Sequence, residues 1–233
     1  MRAWLPWLLL AAALLALAVT LWRPDAVAWR LGLGDQLAER QNRLWQGRLR
    51  AHYRRLDGST PAGAVVFLGA SSVQGLNASA VRSCTASFGI GGESAAQLAA
   101  RVGDYRALDR AGAVVVMTGL NDVLRGDGAT VGASVARLLA ALPAGTPVLL
   151  SSTARIADPA RAAAVDRANA AMRAACRRHA ACRFVDLQAA MTDPALLEPD
   201  GIHLSPAGYA LWARLLRAAL DDAGVPDRAC ATG

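Results

Sequence analysis

Two short motifs, far apart in the chain, carry residue types that could act together in nucleophilic catalysis. Gly69-Ala70-Ser71-Ser72 directly follows an apolar run, and Asp200-Gly201-Ile202-His203 lies near the C-terminus. A serine hydroxyl becomes a nucleophile when a neighbouring base takes its proton, and the base needs a carboxylate to orient it. The two motifs therefore hold the separated parts of a serine hydrolase.

The scarcity of histidine points to one base. The chain has three histidines, and His52 and His179 both lie in arginine-rich stretches. His203 alone has a carboxylate three residues before it. On a tight turn this spacing lets Asp200 accept from one imidazole nitrogen while the other faces Ser71. The four cysteines are not spaced with histidine as zinc ligands are, so we expect neither a metal nor a cofactor.

Two further segments could stabilise an oxyanion. The glycine-rich turn from Gly89 to Ser94 could present backbone N–H groups, and Gly119-Leu120-Asn121-Asp122 places an amide side chain after a strand-like run. Preformed donors of both kinds stabilise the charge that develops during acyl transfer. Each motif alone is also typical of an ordinary turn or helix cap. Their joint occurrence in this order favours the catalytic interpretation.

Together the four motifs resemble the SGNH hydrolase family, also called the GDSL esterases and lipases, over roughly residues 64 to 220. The resemblance implies that Ser71 is the nucleophile and that Asp200 and His203 complete the triad. It also implies that Gly92 and Asn121 donate to the oxyanion beside the Ser71 N–H. The family usually has Asp at the position of Ala70 and often Asn at that of Ser87, which bears on loop geometry and substrate preference.

Alternating apolar and amphipathic runs predict an α/β fold with a five-stranded parallel sheet. The expected strands are Ala64–Leu68, Thr85–Phe88, Ala113–Thr118, Pro147–Ser151 and Arg183–Leu187. The expected helices are Ala95–Leu108, Val131–Leu142, Arg161–His179 and Pro206–Asp221. The family resemblance implies a flavodoxin-like three-layer α/β/α sandwich, with the site at the C-terminal ends of the strands. The hydrolase domain is predicted over residues 61–224, followed by a tail over 225–233.

The N-terminal residues 1–23 are predicted to form a transmembrane or signal helix. The run from Trp4 to Trp22 contains no charge, is long enough to cross a bilayer and is bordered by tryptophans. Cleavage after Ala18 is an alternative. Flanking charge alone would leave the domain in the cytoplasm, but long domains often translocate regardless of it. We expect a membrane-anchored protein with a periplasmic or extracellular domain.

Residues 24–60 are predicted to form a basic amphipathic linker. Between Arg23 and Arg55 the chain has eight arginines against three carboxylates, most of its net charge of +7. A membrane surface and a solvated helix face explain this excess equally well. No motif or stacking aromatics support binding of nucleic acid. A disulfide between Cys176 and Cys182, with a second between Cys84 and Cys230, would fit export, and four buried thiols are the alternative.

The expected substrate is an ester of a small molecule, a glycan or a lipid. Two other functions stay open at this stage. One is an acyltransferase that uses the same serine with a sugar hydroxyl in place of water. The other is an inactive binding module, in which Ala70 reflects lost activity.

Overall fold

The computed structural model describes residues 4–22, 30, 32 and 34–230. The chain divides into two compact units, Met1–Arg48 and Leu49–Gly233. In the first, α1 spans Leu5–Trp22, and α2 spans Gly34–Asp57 and continues into the second unit. Among the described residues, no helix combines the length and apolarity needed to cross a membrane. The predicted transmembrane anchor therefore gains no support.

The second unit is built on a five-stranded parallel sheet with the strand order β2-β1-β3-β4-β5. This is the flavodoxin-like order, in which β2 is added on one side of β1 and β3 to β5 are added on the other. The strands are β1 Val65–Gly69, β2 Thr85–Gly89, β3 Ala113–Met117, β4 Val148–Ser151 and β5 Cys182–Val185. The helices of this unit, after the end of α2, are α3 Ser71–Gly75, α4 Ala95–Arg101, α5 Leu120–Leu124, α6 Val131–Ala140, α7 Pro159–Arg177, α8 Leu187–Ala190 and α9 Pro206–Asp222.

The two faces of the sheet are covered by different helices, because successive side chains of a strand point to opposite faces. Val66 and Leu68 of β1 pack in one cluster with residues of α4, α6 and α7. Val65 and Phe67 pack in the other with α3, α8 and α9, including the fully buried Trp212. The predicted three-layer α/β fold is confirmed, and each expected strand forms within two residues of its predicted ends.

One expected helix is shorter than its sequence pattern indicates. The pattern predicts a helix over Ala95–Leu108, but α4 ends at Arg101 and two 3₁₀ turns follow, Val102–Asp104 and Arg106–Arg110. Gly103 has low helix propensity, and the Arg101 side chain is buried in the unit. The short helices α3, α5 and α8 are absent from the sequence prediction because one helical turn is too short to show a hydrophobic period.

The end of α2 belongs to the second unit, which begins at Leu49 and so includes residues assigned to the linker. The Tyr53 hydroxyl donates to the Gly89 carbonyl at the end of β2, at 2.8 Å. The buried Asp57 carboxylate accepts from the N–H groups of Arg106 and Ala107, at 3.0 and 2.8 Å. This part of the basic stretch therefore stabilises the fold beside the expected site.

Both expected disulfides are formed. Cys176 near the end of α7 is bonded to Cys182 at the start of β5. Cys84, which precedes β2, is bonded to Cys230 in the C-terminal tail. No free cysteine remains among the described residues. The pairing that the sequence predicts is therefore confirmed.

Replacing Asp57 should destabilise the second unit. Asp57→Ala removes the acceptor of two backbone N–H groups at the start of the Arg106–Arg110 turn, and we expect a loss of about 1–3 kcal/mol in the free energy of unfolding. Asp109→Ala is the matched control, since Asp109 is exposed on the same turn, and should change stability by less than about 0.5 kcal/mol. Urea unfolding measures both, and equal effects would contradict the role given to Asp57.

Candidate active site

Ser71 is the first residue of α3, just past the C-terminal end of β1. The N-cap position before it is Ala70, which has no side-chain acceptor for the free N–H groups of the first turn. The first turn of α3 therefore has no side-chain cap from the residue that precedes Ser71. Ser72 is the second residue of the helix, so it is not at the N-cap position.

His203 joins Ser71 to Asp200. Its Nε2 lies 3.2 Å from Ser71 Oγ, and its Nδ1 lies 2.6 Å from Asp200 Oδ2. A carboxylate at Nδ1 favours the tautomer with the proton on that nitrogen, which leaves the Nε2 lone pair facing the serine hydroxyl. The structure thus brings together the three residues that the sequence predicts as a triad.

Asp200 is held by its own turn. Its Oδ1 accepts from the N–H groups of Ile202 and His203, at 2.8 and 2.9 Å. The hydrogen bond to the His203 side chain, with these two backbone bonds, lowers the pKa of Asp200 from 3.8 to about 2. A carboxyl with a lowered pKa stays ionised until the pH falls to that value. Asp200 is therefore a carboxylate at any pH near neutrality.

The expected oxyanion donors come from two loops beside Ser71. Gly92 has φ of 72°, a left-handed conformation that favours glycine. Its carbonyl accepts from Arg125 Nη2 at 2.5 Å, while the neighbouring Gly91 N–H donates to Gln74 Oε1 at 2.6 Å. These two hydrogen bonds restrain the backbone at Gly91 and Gly92.

Asn121 lies in the first turn of α5 and connects the two loops. One proton of its amide nitrogen is directed to the Glu93 carbonyl at 3.0 Å, and a side-chain amide has a second proton to donate. The preceding Gly119 has φ of 100° at the start of this helix. Asp122 is buried, and its Oδ2 accepts from the Ala95 N–H at 2.9 Å, while burial raises its pKa.

A buried ion pair supports the Gly92 loop from behind. Glu93 and Arg101 are 1% and 2% exposed, and Arg101 Nη2 lies 2.8 Å from Glu93 Oε2. The same guanidinium donates to the Phe88 carbonyl at 2.7 Å and to the Tyr105 hydroxyl at 2.6 Å. From α2, Arg50 Nη2 adds a bond to Glu93 Oε1 at 3.0 Å. These contacts satisfy a charge that would otherwise be costly to bury.

Two cavities adjoin the His203 loop. A cavity of about 110 Å³ lies at Ser71 and is lined also by Asn121 and His203. A larger one of about 640 Å³ lies on the other side of Gly201, against Ile156 and Leu197. The smaller cavity is the one that brings Ser71, Asn121 and His203 together.

The sequence analysis did not find the buried ion pair of Arg101 and Glu93 that supports the Gly92 loop. Arg101 lies in an apolar stretch of α4, where a buried charge has no local signal. Glu93 does carry a weak one, because it is a lone acid within a glycine-rich turn. No group of side chains able to hold a metal ion is found in the described part of the chain.

The sequence matches the family model of the GDSL-like lipase and acylhydrolase family over residues 32–211. This covers most of the chain, including every motif described above. The chain belongs to the GDSL-like lipase/acylhydrolase family. At the level of this family it is an esterase-type enzyme. A comparison of the sequence with curated proteins finds no match.

Solved structures show the same fold. A Streptococcus pneumonia protein described as a candidate platelet activating factor has a TM-score of 0.68 at 21% identity, covering 81% of this chain and 99% of its own. A lipase/acylhydrolase from Enterococcus faecalis has a TM-score of 0.61 at 20% identity, covering 68% and 95%. The catalytic domain of peptidoglycan O-acetyltransferase A from Streptococcus pneumoniae has a TM-score of 0.58 at 18% identity, covering 70% and 96%. At such identities the likeness shows the fold alone.

Breaking the buried ion pair should destabilise the unit strongly. Glu93→Gln leaves the Arg101 guanidinium buried without its counter-charge, and we expect a loss of about 3–5 kcal/mol in the free energy of unfolding. The matched control is Glu39→Gln, which breaks an exposed pair with Arg43 at 3.3 Å and should cost less than about 1 kcal/mol. Urea unfolding compares the two, and a similar small loss for both would show that the buried pair does not stabilise the fold.

Proposed function

We propose that the protein is a serine esterase that cleaves carboxylic esters with Ser71 as nucleophile. The observation that carries this proposal is the continuous chain of hydrogen bonds from Ser71 through His203 to Asp200, at 3.2 and 2.6 Å. A hydroxyl, an imidazole and a carboxylate in this order are the groups needed to generate a nucleophile near neutral pH. No step of this reaction requires a metal or a cofactor.

In the first half of the proposed reaction, Ser71 Oγ attacks the ester carbonyl while His203 Nε2 takes the hydroxyl proton. Asp200 remains ionised and stabilises the imidazolium that results. The carbonyl oxygen becomes an oxyanion that receives hydrogen bonds from the Ser71 N–H, the Gly92 N–H and the Asn121 side chain. One such donor typically contributes on the order of 3 kcal/mol to stabilisation of the transition state.

The first half ends when the imidazolium gives its proton to the departing alcohol, and the acyl group stays on Ser71 Oγ. In the second half, a water molecule attacks the acyl-enzyme as His203 again accepts a proton. The exposed position of His203 is compatible with this step, because water reaches the imidazole directly. The imidazolium returns this proton to Ser71 Oγ as the acid leaves, which restores the free hydroxyl.

An acyltransferase is the second candidate, because an acceptor hydroxyl could replace water in the deacylation step. Solved structures with this fold include both an acetyl xylan esterase from Geobacillus stearothermophilus and the O-acetyltransferase domain described above. The two activities are separated by adding a soluble glycan acceptor to the ester assay. An acetylated acceptor would support transfer, whereas free acid alone would support hydrolysis.

The roles of Ser71 and His203 can be tested by comparing the loss of ester turnover in the two single variants with the loss in the double variant. Ser71→Ala and His203→Ala should each abolish ester turnover, and the double variant should be scarcely worse, because nucleophile and base act as one unit. Asn121→Ala should lower kcat by about 10²-fold and keep measurable activity. Asn77→Ala is the control, since Asn77 is exposed and lines neither cavity.

Labelling with a serine-directed fluorophosphonate completes this test. The wild-type chain and the Asn77→Ala variant should be labelled, and Ser71→Ala should not. A folded wild-type protein that is neither labelled nor active would favour the binding module. Turnover that survives in Ser71→Ala and is lost in Ser72→Ala would move the nucleophile by one residue.

We further propose that the catalytic unit works outside the cytoplasm. Two disulfides support this, because such bonds persist in oxidising compartments and are rare in the cytosol. Protein unfolded without reductant should therefore show no free thiols, whether it is taken from the periplasm or from the medium. Recovery of active protein only from the cytoplasm, with four free thiols, would contradict the proposal.

A further inference from the structure

The turn that contains Gly92 has glycine at both of its central positions. The Glu93 N–H donates to the Ile90 carbonyl at 3.3 Å, which closes a four-residue turn around Gly91 and Gly92. A positive φ at the third residue, here 72° at Gly92, is typical of a type II turn. Glycine has more backbone freedom than any other residue, and two glycines bring no side chains that could hold the turn in place. The centre of the turn must therefore be fixed by other segments.

Side chains from two short helices supply this restraint. Gln74 of α3 accepts from the Gly91 N–H through Oε1 at 2.6 Å. Arg125, which directly follows α5, donates through Nη2 to the Gly92 carbonyl at 2.5 Å. The peptide that carries the Gly92 N–H lies between these two bonded groups. The two central glycines are thus tied to α3 on one side and to the end of α5 on the other.

The same two helices carry groups of the proposed reaction. Ser71 lies three residues before Gln74 in α3. Asn121 lies four residues before Arg125, in the first turn of α5. Residues three or four positions apart lie on the same face of a helix. The turn also passes close to the nucleophile, because a Cβ atom at Gly91 would lie 3.9 Å from Ser71 Cβ. Each helix therefore presents one proposed catalytic group and one side chain that bonds the turn.

We propose that Gln74 and Arg125 are positioning residues that hold the Gly92 N–H at the distance that an oxyanion needs. The proposal rests on the esterase function proposed above and adds two residues to it. A donor stabilises an oxyanion at about 2.7–3.1 Å, and a misplacement of about 1 Å can lower a rate by about 10²-fold. Loss of either side chain frees one side of the turn, so the Gly92 N–H is held less well at that distance. Neither side chain lines the cavity at Ser71, so we expect binding of the ester to change little.

Both side chains are exposed, so their removal can be separated from unfolding. In the full-length protein, Gln74→Leu removes the acceptor, and Arg125→Met removes the donor. We expect kcat on p-nitrophenyl acetate, per active site titrated with a fluorophosphonate, to fall by about tenfold in each variant. KM should stay within about twofold of the wild-type value. Arg125→Lys keeps a charged donor and should have a kcat within about threefold of wild type.

A tetrahedral inhibitor gives a second measurement that a purely structural role would leave unchanged. Phenylboronic acid adds to a serine Oγ and places an oxygen where the oxyanion forms, so it resembles the transition state. Its Ki should rise by about the same factor as kcat falls. Asn77→Leu and Arg214→Met are the matched controls, since they remove an exposed amide and an exposed guanidinium elsewhere in the second unit. Both should keep the wild-type kcat and Ki.

The outcomes separate the positioning role from the esterase function. Fewer titrated sites with an unchanged kcat per site would show that the two side chains only stabilise the fold, and would overturn the proposal. A lowered kcat with an unchanged Ki for phenylboronic acid would overturn it as well. If Arg125→Lys is as slow as Arg125→Met, the role of the Arg125 bond is wrong. Absence of Ser71-dependent turnover in the wild-type protein would instead contradict the proposed function itself.

Discussion

The Arg101 guanidinium is the buried group on which the geometry of the site depends most. It donates to carbonyl oxygens at the ends of two adjacent strands, that of Gly69 in β1 at 3.5 Å and that of Phe88 in β2 at 2.7 Å. It also pairs with Glu93, which lies in the loop that follows β2. Glu93 in turn accepts from Asn121 through its carbonyl. The Arg101 side chain thus connects the end of β1, just before Ser71, with the loop that contains Gly92.

The other half of the site is organised differently. Asp200 and His203 are both exposed and are positioned by short-range hydrogen bonds within four consecutive residues. The loop is anchored at its end by Ser205, which caps α9 and donates to the Ala195 carbonyl at 2.7 Å. The proposed donors to the oxyanion therefore lie on a buried and ion-paired framework, while the proposed base lies on a solvent-facing turn. This division suits a reaction in which the base must exchange protons with water.

The parts of this arrangement that the sequence could predict are local. Five apolar runs predicted the strands. Four motifs, three of them after strands, predicted Ser71, Gly92, Asn121, Asp200 and His203 as site residues. The contribution of α2 was missed, because an arginine-rich amphipathic helix has the same pattern whether its arginines face solvent or, like Arg50, a buried carboxylate. The early end of α4 was missed because it follows from the burial of Arg101, a tertiary effect. Cavity size has no sequence signal at all, since the residues that line the cavity come from segments far apart in the chain.

The departure of Ala70 from the usual family residue takes its meaning from this geometry. Ala70 lines the cavity at Ser71 and occupies the N-cap position of α3 without a side-chain bond. The hydrogen bonds that join Ser71, His203 and Asp200 form without any contribution from this position. A methyl group there shapes the wall of the cavity and adds no charge beside Ser71. The substitution therefore alters the wall of the cavity, and it is a weak argument for a site that has lost its chemistry.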